Sequence, residues 1–187
     1  MWKLEAVKPV KLIVGILAAD EPCLEAARRA LGEQFGRIDL ASDVWPFTQT
    51  DYYRDEMGEH ILRQFVTFEK LIDPGELAAI KHATNRIEQD LAGRLGLSLP
   101  RPVNLDPGVI EPGKLVLAST KNFAHRIYIG QGMYAEVTLT FANGVWHSHA
   151  FTFPDYRQAC YHEFFSRVRT RLVEQRRQQD SRPEKTS

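Results

Sequence analysis

Residues 12–18, Leu-Ile-Val-Gly-Ile-Leu-Ala, carry no polar side chain. A half-exposed strand alternates polar and apolar residues, because successive side chains point to opposite faces. A short unbroken apolar run with β-branched members instead suits a central strand covered on both faces. Lys8 and Lys11 ahead of the run give it a faint likeness to a secretory signal peptide. The apolar stretch is short for that, and Asp20-Glu21-Pro22 opens a helix directly after it, so it reads as a buried first strand.

The rest of the chain fits elements around that strand. Asp20 caps a helix with Pro22 in its first turn, Leu24, Ala27, Leu31 and Phe35 recur at helical spacing, and Gly36 stops it. Residues 37–45 alternate as a second strand, and strand, helix, strand in that order predicts a right-handed crossover and a parallel pair. Residues 45–58 are irregular and aromatic. Residues 61–72 return to strand character. Asp73-Pro74-Gly75-Glu76 opens a helix carrying Leu77, Ile80, Thr84, Ile87 and Leu91. Residues 103–106 and 114–119 read as short strands around a Pro-Gly turn. Residues 126–129 and 134–141 read as strands joined by Gly130-Gln131-Gly132. Asn143-Gly144 is a strong hairpin signal and sets a register of Phe141 opposite Trp146 and Thr140 opposite His147. Pro154-Asp155 opens a last helix, and from about Gln175 the composition is polar, so residues 175–187 are expected to form a disordered tail.

The expected fold class is therefore α+β: one domain over residues 1–174, with a mixed, largely antiparallel sheet of roughly six to seven strands. It has a βαβ start and three principal helices. A Rossmann-like α/β sheet is the alternative, and the hairpin-rich second half argues against it. Composition narrows the function classes. Lys plus Arg number 24 and Asp plus Glu 24, so the formal charge is zero. Extended nucleic-acid binding, which usually shows a basic excess, is not expected. Cys23 and Cys160 are too few for a disulfide framework, and no apolar run is long enough for a membrane span. A reducing, cytoplasmic setting fits.

Five segments, taken in order, resemble a known family. They are residues 52–58 (Tyr-Tyr-Arg-Asp-Glu-Met-Gly), 84–88 (Thr-Asn-Arg-Ile-Glu) and 104–108 (Asn-Leu-Asp-Pro-Gly). Residues 117–122 (Leu-Ala-Ser-Thr-Lys-Asn) with 125–128 (His-Arg-Ile-Tyr), and then 153–157 (Phe-Pro-Asp-Tyr-Arg), complete the set. The chain resembles, from about Lys8 to about Leu172, the bacterial family designated domain of unknown function 4416. That family brings no established activity, so the resemblance implies membership and not a mechanism. The segment His147-Ser148-His149 lies outside the family pattern.

Chemistry is expected at three clusters. Asn104 to Gly108 either forms a turn, for which Asp-Pro-Gly is well suited, or offers Asn104 and Asp106 to a ligand at a strand end. Ser119, Thr120, Lys121 and Asn122, followed by His125 and Arg126, supply hydroxyls, cations and backbone N–H groups that suit a phosphate or carboxylate. Lys81, Asn85 and Glu88 form a polar stripe on the central helix, either a solvated face or the rim of a cleft.

Together these predict a cleft for a small anionic, phosphorylated or nucleotide-like ligand. Lys81, Lys121, His125 and Arg126 would meet the anion, with Asn85, Asn104, Ser119, Thr120 and Asn122 around it. Asp106, Glu56 and His125 are the catalytic candidates. Whether the ligand is turned over is left open, as is the cofactor, for which Mg²⁺ is the candidate. Two alternatives stand beside this. The aromatic loop 45–53 would dock a protein partner, or Glu136, His147 and His149, on one face of the hairpin, would hold a divalent metal. Asp43, Thr50, Asp51 and Tyr53 in that loop, and Asp155 with Arg157 before the last helix, are further polar candidates. Asp155 reads there as a helix-start residue.

Overall fold

The computed structural model describes residues 6–49 and 53–181. Strand β1 (Lys11–Ala18) is buried along its whole length. Its two residue sets face different layers. Leu12, Val14, Ile16 and Ala18 join a core with Leu24, Ala27 and Leu31 of α1 (Glu21–Phe35) and Ile80 and Leu91 of α3 (Leu77–Leu95). Ile13 joins a second core with Tyr161, Phe164, Phe165 and Val168 of α4 (Ala159–Asp180). The apolar run therefore lacks alternation because helices cover both faces of the sheet.

The remaining strands are β2 (Ile38–Ala41), β3 (Trp45–Pro46), β4 (Leu62–Phe68), β5 (Val103–Glu111), β6 (Lys114–Ser119), β7 (Ile127–Gly130), β8 (Met133–Ala142) and β9 (Val145–Ser148). A four-residue helix α2 (Arg54–Met57) follows β3. The sheet has the order β2-β4-β1-β5-β6-β8-β7, with β3 attached to β4 and β9 to β8. The architecture is α+β, with seven strands on the main path and two short additions. Every ladder is antiparallel, which removes the Rossmann-like alternative.

The expected parallel pair is corrected in one respect. β1 and β2 run in the same direction, but β4 lies between them and pairs antiparallel with both. The local order strand, helix, strand leaves room for a third strand to insert, and β4 takes that place.

Several local expectations hold for the reasons given. Asp20 Oδ1 accepts from Cys23 N–H at 2.8 Å, and Gly36 ends α1 with φ 93. Asn143 and Gly144 both have positive φ, 52 and 83, and the hairpin pairs Phe141 with Trp146 and Thr140 with His147.

The polar end of the chain is not a tail at its start. α4 continues to Asp180, and residue 175 is buried in it. Gln175 Oε1 accepts from the buried Lys11 Nζ at 2.8 Å and its amide donates to Glu69 O at 2.6 Å. Lys11 Nζ also reaches Asp39 Oδ2 at 2.5 Å. A polar residue thus anchors the helix to β1 by satisfying a buried charge, which composition alone does not reveal. Among the described residues no helix is long and apolar enough to cross a membrane.

Candidate functional site

Pro107 interrupts the sheet without interrupting its own strand. β5 runs from Val103 to Glu111 straight through Asp106-Pro107-Gly108 and pairs with β1 along most of that length. Its ladder to β6 covers only Gly108 to Glu111. The backbone groups of Leu105 turn away from β1, since its N–H donates to Glu88 Oε1 at 2.7 Å and its carbonyl accepts from Lys81 Nζ at 2.8 Å. Backbone direction alternates along a strand. Pro107, two residues on, therefore turns its missing N–H to the β6 side, and the ladder stops there.

Gly108 holds the last pair closely, because a Cβ there would sit 2.4 Å from Val116 O. The turn expected at Asp-Pro-Gly is thus a fork between two adjacent strands. The β5–β6 connection falls instead at residues 112–113. Lys81 and Glu88, expected on either a solvated face or the rim of a cleft, are buried and substitute for the missing strand partner.

A cleft of about 570 Å³ opens at this fork. Five cationic side chains line it, Arg63, Lys81, Arg101, Lys121 and Arg126, against three carboxylates, Asp106, Glu136 and Asp155. Arg63, from β4, is 3% exposed and forms the floor. Gly15 makes its place: a Cβ at that position would stand 2.9 Å from Arg63 Nη1, 3.0 Å from Phe65 and 3.2 Å from Tyr156 Oη. The guanidinium lies 5.1 Å from the Phe47 ring centroid, 5.3 Å from Phe65 and 5.7 Å from Tyr156. Its Nη2 donates to Asp155 Oδ2 at 2.8 Å, and Nη1 stands 3.8 Å from Asp106 Oδ2. Nε and Nη1 of Arg63 and Oη of Tyr156 are buried with no hydrogen-bond partner.

The electrostatics follow from burial set against neighbours. Burial works against the charge of Arg63, but Tyr156, Asp155 and Asp106 outweigh it and the guanidinium is held charged. Burial raises Asp155 above the usual carboxylate range despite Arg63. Burial likewise raises Glu88, against the pull of Lys81 and Arg101. Arg101 clamps this side: Nη2 donates to Glu88 Oε2 at 2.8 Å and to Asn104 Oδ1 at 2.5 Å. Asn104 Nδ2 donates to Asp106 Oδ2 at 2.7 Å. Across the cleft Arg126 donates to Glu136 Oε2 at 2.8 Å and to Ser119 Oγ at 2.9 Å, fixing the loop after β6.

Seven of the expected residues come together here: Lys81, Asn104, Asp106, Ser119, Thr120, Lys121 and Arg126. Others do not reach the lining. Glu56 lies behind, 3.7 Å from Arg101 Nη1. His125 is held by Glu136 Oε2 at 3.0 Å and stacks on Phe151. Asn85 and Asn122 are outside the lining. Of the three catalytic candidates only Asp106 faces the cleft.

The hairpin metal set does not assemble. Glu136 is taken by Arg126 and His125, His147 bonds Ala142 O at 3.2 Å, and His149 stacks on Phe151. No group of three or more His, Cys, Asp or Glu able to hold a metal occurs among the described residues.

The described rings of the aromatic loop, Trp45, Phe47 and Tyr53, make inward contacts. Trp45 packs on Tyr161 at 4.9 Å between centroids, Phe47 is buried under Arg63, and Tyr53 packs on Phe47. These rings pack against the protein's own core and cleft. Asp43 is exposed, while Thr50, Asp51 and Tyr52 lie outside the described residues. Asp155 opens a short 3₁₀ helix, Asp155–Arg157, as expected of a helix-start residue, and is also the partner of Arg63, while Arg157 donates to the carbonyls of His149, Ala150 and Thr152. Cys23 is buried and unpaired, its thiol pushed up to about 12 by burial first and then by Asp20.

Sequence reading missed Arg63, Arg101, Tyr156, Phe123 and Phe153. Arg63 did leave a signal: in residues 62–68 it shares strand parity with the buried Phe65 and so places a charge on a core face.

Fold and site define an α+β protein with an antiparallel sheet whose forked centre opens a cationic cleft. The chain belongs to the family described as Domain of unknown function (DUF4416), whose model matches residues 8–172. No curated protein and no solved structure matches it.

Proposed function

We propose that the cleft binds a small phosphorylated anion. The observation that carries this is the floor. Arg63 and Tyr156 line a cleft where cations outnumber carboxylates, and three of their donors, Arg63 Nε, Arg63 Nη1 and Tyr156 Oη, are buried with no hydrogen-bond partner. A buried donor left unmade costs roughly 1–3 kcal/mol, so an acceptor-rich ligand gains what the apo protein forgoes. The volume of about 570 Å³ suits a small metabolite.

Asp106 is the cleft carboxylate available to such a ligand. Its side chain is 29% exposed, against 7% for Asp155 and 1% for Glu136. If the ligand is turned over, Asp106 is the general base. Mg²⁺ would enter with the phosphate, since Asp106 already has Arg63 and Lys81 beside it. A reducing, cytoplasmic setting is supported by the two unpaired cysteines.

The test is calorimetric titration of the intact chain with inorganic phosphate and ribose 5-phosphate, with and without Mg²⁺. Binding that weakens with added salt and in Lys121→Glu is expected. No heat and no thermal shift at millimolar ligand would overturn the proposal.

A further inference from the structure

The cleft has a second chemistry at its mouth. Phe123 and Phe153 line it and are 61% and 40% exposed. Large apolar rings held in water forgo the burial that most of the phenylalanines have, Phe151 at 39% exposed being another exception. They do not stand alone. Phe123 packs against His125 at 5.9 Å, His125 stacks on Phe151 at 4.3 Å and 11°, and Phe151 stacks on His149 at 5.3 Å and 16°. The Arg126 guanidinium lies 5.4 Å from the Phe123 centroid. His125, Phe151 and His149 thus lie nearly parallel, and the exposed Phe123 ring at the mouth of the cationic cleft is tilted 40° against His125.

Tyr156 joins mouth to floor. Its ring is 6.2 Å from Phe153, and its unpartnered hydroxyl meets the space over Gly15 beside Arg63. One tyrosine side chain thus links Phe153 at the mouth to the floor beside Arg63.

We propose that the ligand is a nucleoside phosphate, with its phosphate on the Arg63–Tyr156 floor and its base stacked on Phe123 and Phe153. This rests on the anion-binding role proposed above and adds the class of ligand. Exposed aromatic faces at the mouth favour a flat heterocycle over a flexible acyl chain, because every base presents a π-face to such rings.

The experiment is calorimetric titration of the intact chain with the four ribonucleoside 5′-monophosphates, the free nucleosides, ribose 5-phosphate and hexyl phosphate. Stacking one base converts to roughly tenfold or more in affinity. The best nucleotide is expected to bind at least about tenfold more tightly than either non-aromatic phosphate. That ratio is expected to collapse toward one in Phe123→Ala, whose exposed site leaves folding intact. Ribose 5-phosphate or hexyl phosphate binding as tightly as every nucleotide would overturn the base subsite and leave the anion role standing. Free nucleosides binding as tightly as nucleotides would overturn the phosphate floor, and with it both proposals. A ratio that survives in both Phe123→Ala and Phe153→Ala would remove these rings as the base's partners.

Discussion

Gly15 and Arg63 occupy what would otherwise be the same space: the Cβ that Gly15 lacks would stand 2.9 Å from Arg63 Nη1. A glycine in the most buried strand of the sheet lacks a side chain to pack and would ordinarily weaken it. Here the missing side chain creates the bay in which a buried guanidinium sits under the cleft.

Gly15→Ala is therefore expected to displace Arg63. Phe65 and Tyr156 also bound the space, at 3.0 and 3.2 Å, so the methyl meets resistance on three sides. Overpacking of this kind costs about 1–3 kcal/mol. Urea denaturation should show a lower midpoint at unchanged m-value, with any phosphate binding weakened in parallel.

Arg63→Met leaves Asp155 buried without its partner. The bond they share is 2.8 Å long, and both side chains are under a tenth exposed. Breaking a buried pair from one side costs roughly 3–5 kcal/mol. The double variant Arg63→Met with Asp155→Asn removes both charges and should recover part of that loss. Chemical denaturation of the two singles and the double gives the coupling directly, and strictly additive losses would show that the pair is not coupled.

Acidification should act on the site with a definite sign. Glu88 and Asp155 are raised above their ordinary values of 4.5 and 3.8, first of all by burial. The folded chain then takes up these protons before the unfolded one. Their contribution to stability grows as pH falls through the raised values and levels off below the ordinary ones. Asp39 behaves oppositely. Burial pushes it up, but hydrogen bonds from Lys11 and Thr67 and the nearby cations hold it below 3.8. Its contribution is present above 3.8 and is lost as pH falls below that value. The difference in stability between the native chain and Glu88→Gln should thus change as pH falls toward about 4.5 and level off below it. Parallel profiles over that range would contradict the raised Glu88 value.

Lys81 and Lys121 both line the cleft, yet their removal should have different consequences. Lys81 is 5% exposed and caps the Leu105 carbonyl at 2.8 Å. Lys81→Met leaves that acceptor unmade, at a cost of about 1–3 kcal/mol. Lys121 stands on the exposed rim, and Lys121→Ala should stay within about 0.5 kcal/mol of the native chain. Thermal melts of the two variants separate a buried cation that holds the fork from an exposed one on the cleft rim.

The closing pair of the fork gives a last check. Gly108→Ala would place a methyl 2.4 Å from Val116 O and 2.7 Å from Leu117 Cδ2. The first contact is with backbone, which has little room to yield. A loss of at least about 2 kcal/mol is expected in urea denaturation. A neutral Gly108→Ala would mean that β5 and β6 are not held as closely as the register implies.

The polar clusters were legible as clusters but not in their roles. Asn104, Asp106, Ser119, Thr120, Lys121 and Arg126 were visible because unlike polar residues crowd together at the ends of apolar segments. Pro107 misled, because Asp-Pro-Gly is good turn chemistry wherever it occurs, and nothing within it reveals that β1 pairs with it through the whole segment. Arg63 left only its strand parity with Phe65 as a signal, since one charge inside a run of strand residues does not by itself say whether it faces water or a core. Gln175 was hidden by composition: a polar stretch reads as a tail until its partner, Lys11, is known to be buried 164 residues away.

What the sequence determined by itself were features decided within a few residues. The two-sided burial of residues 12–18, the Asp20 cap and the Asn143-Gly144 register each depend on side-chain period or on backbone angles that neighbours impose. Tertiary structure alone decided that β4 enters between β1 and β2, that Arg63 meets Asp155 over a separation of 92, and that Lys81 and Glu88 close the backbone of Leu105. The physical reason is that such contacts follow from which strands become neighbours. Loop-closure entropy rises only slowly with length and leaves many distant pairings comparably accessible. The choice among them falls to the burial of whole faces, a property of the assembled sheet and of no single segment.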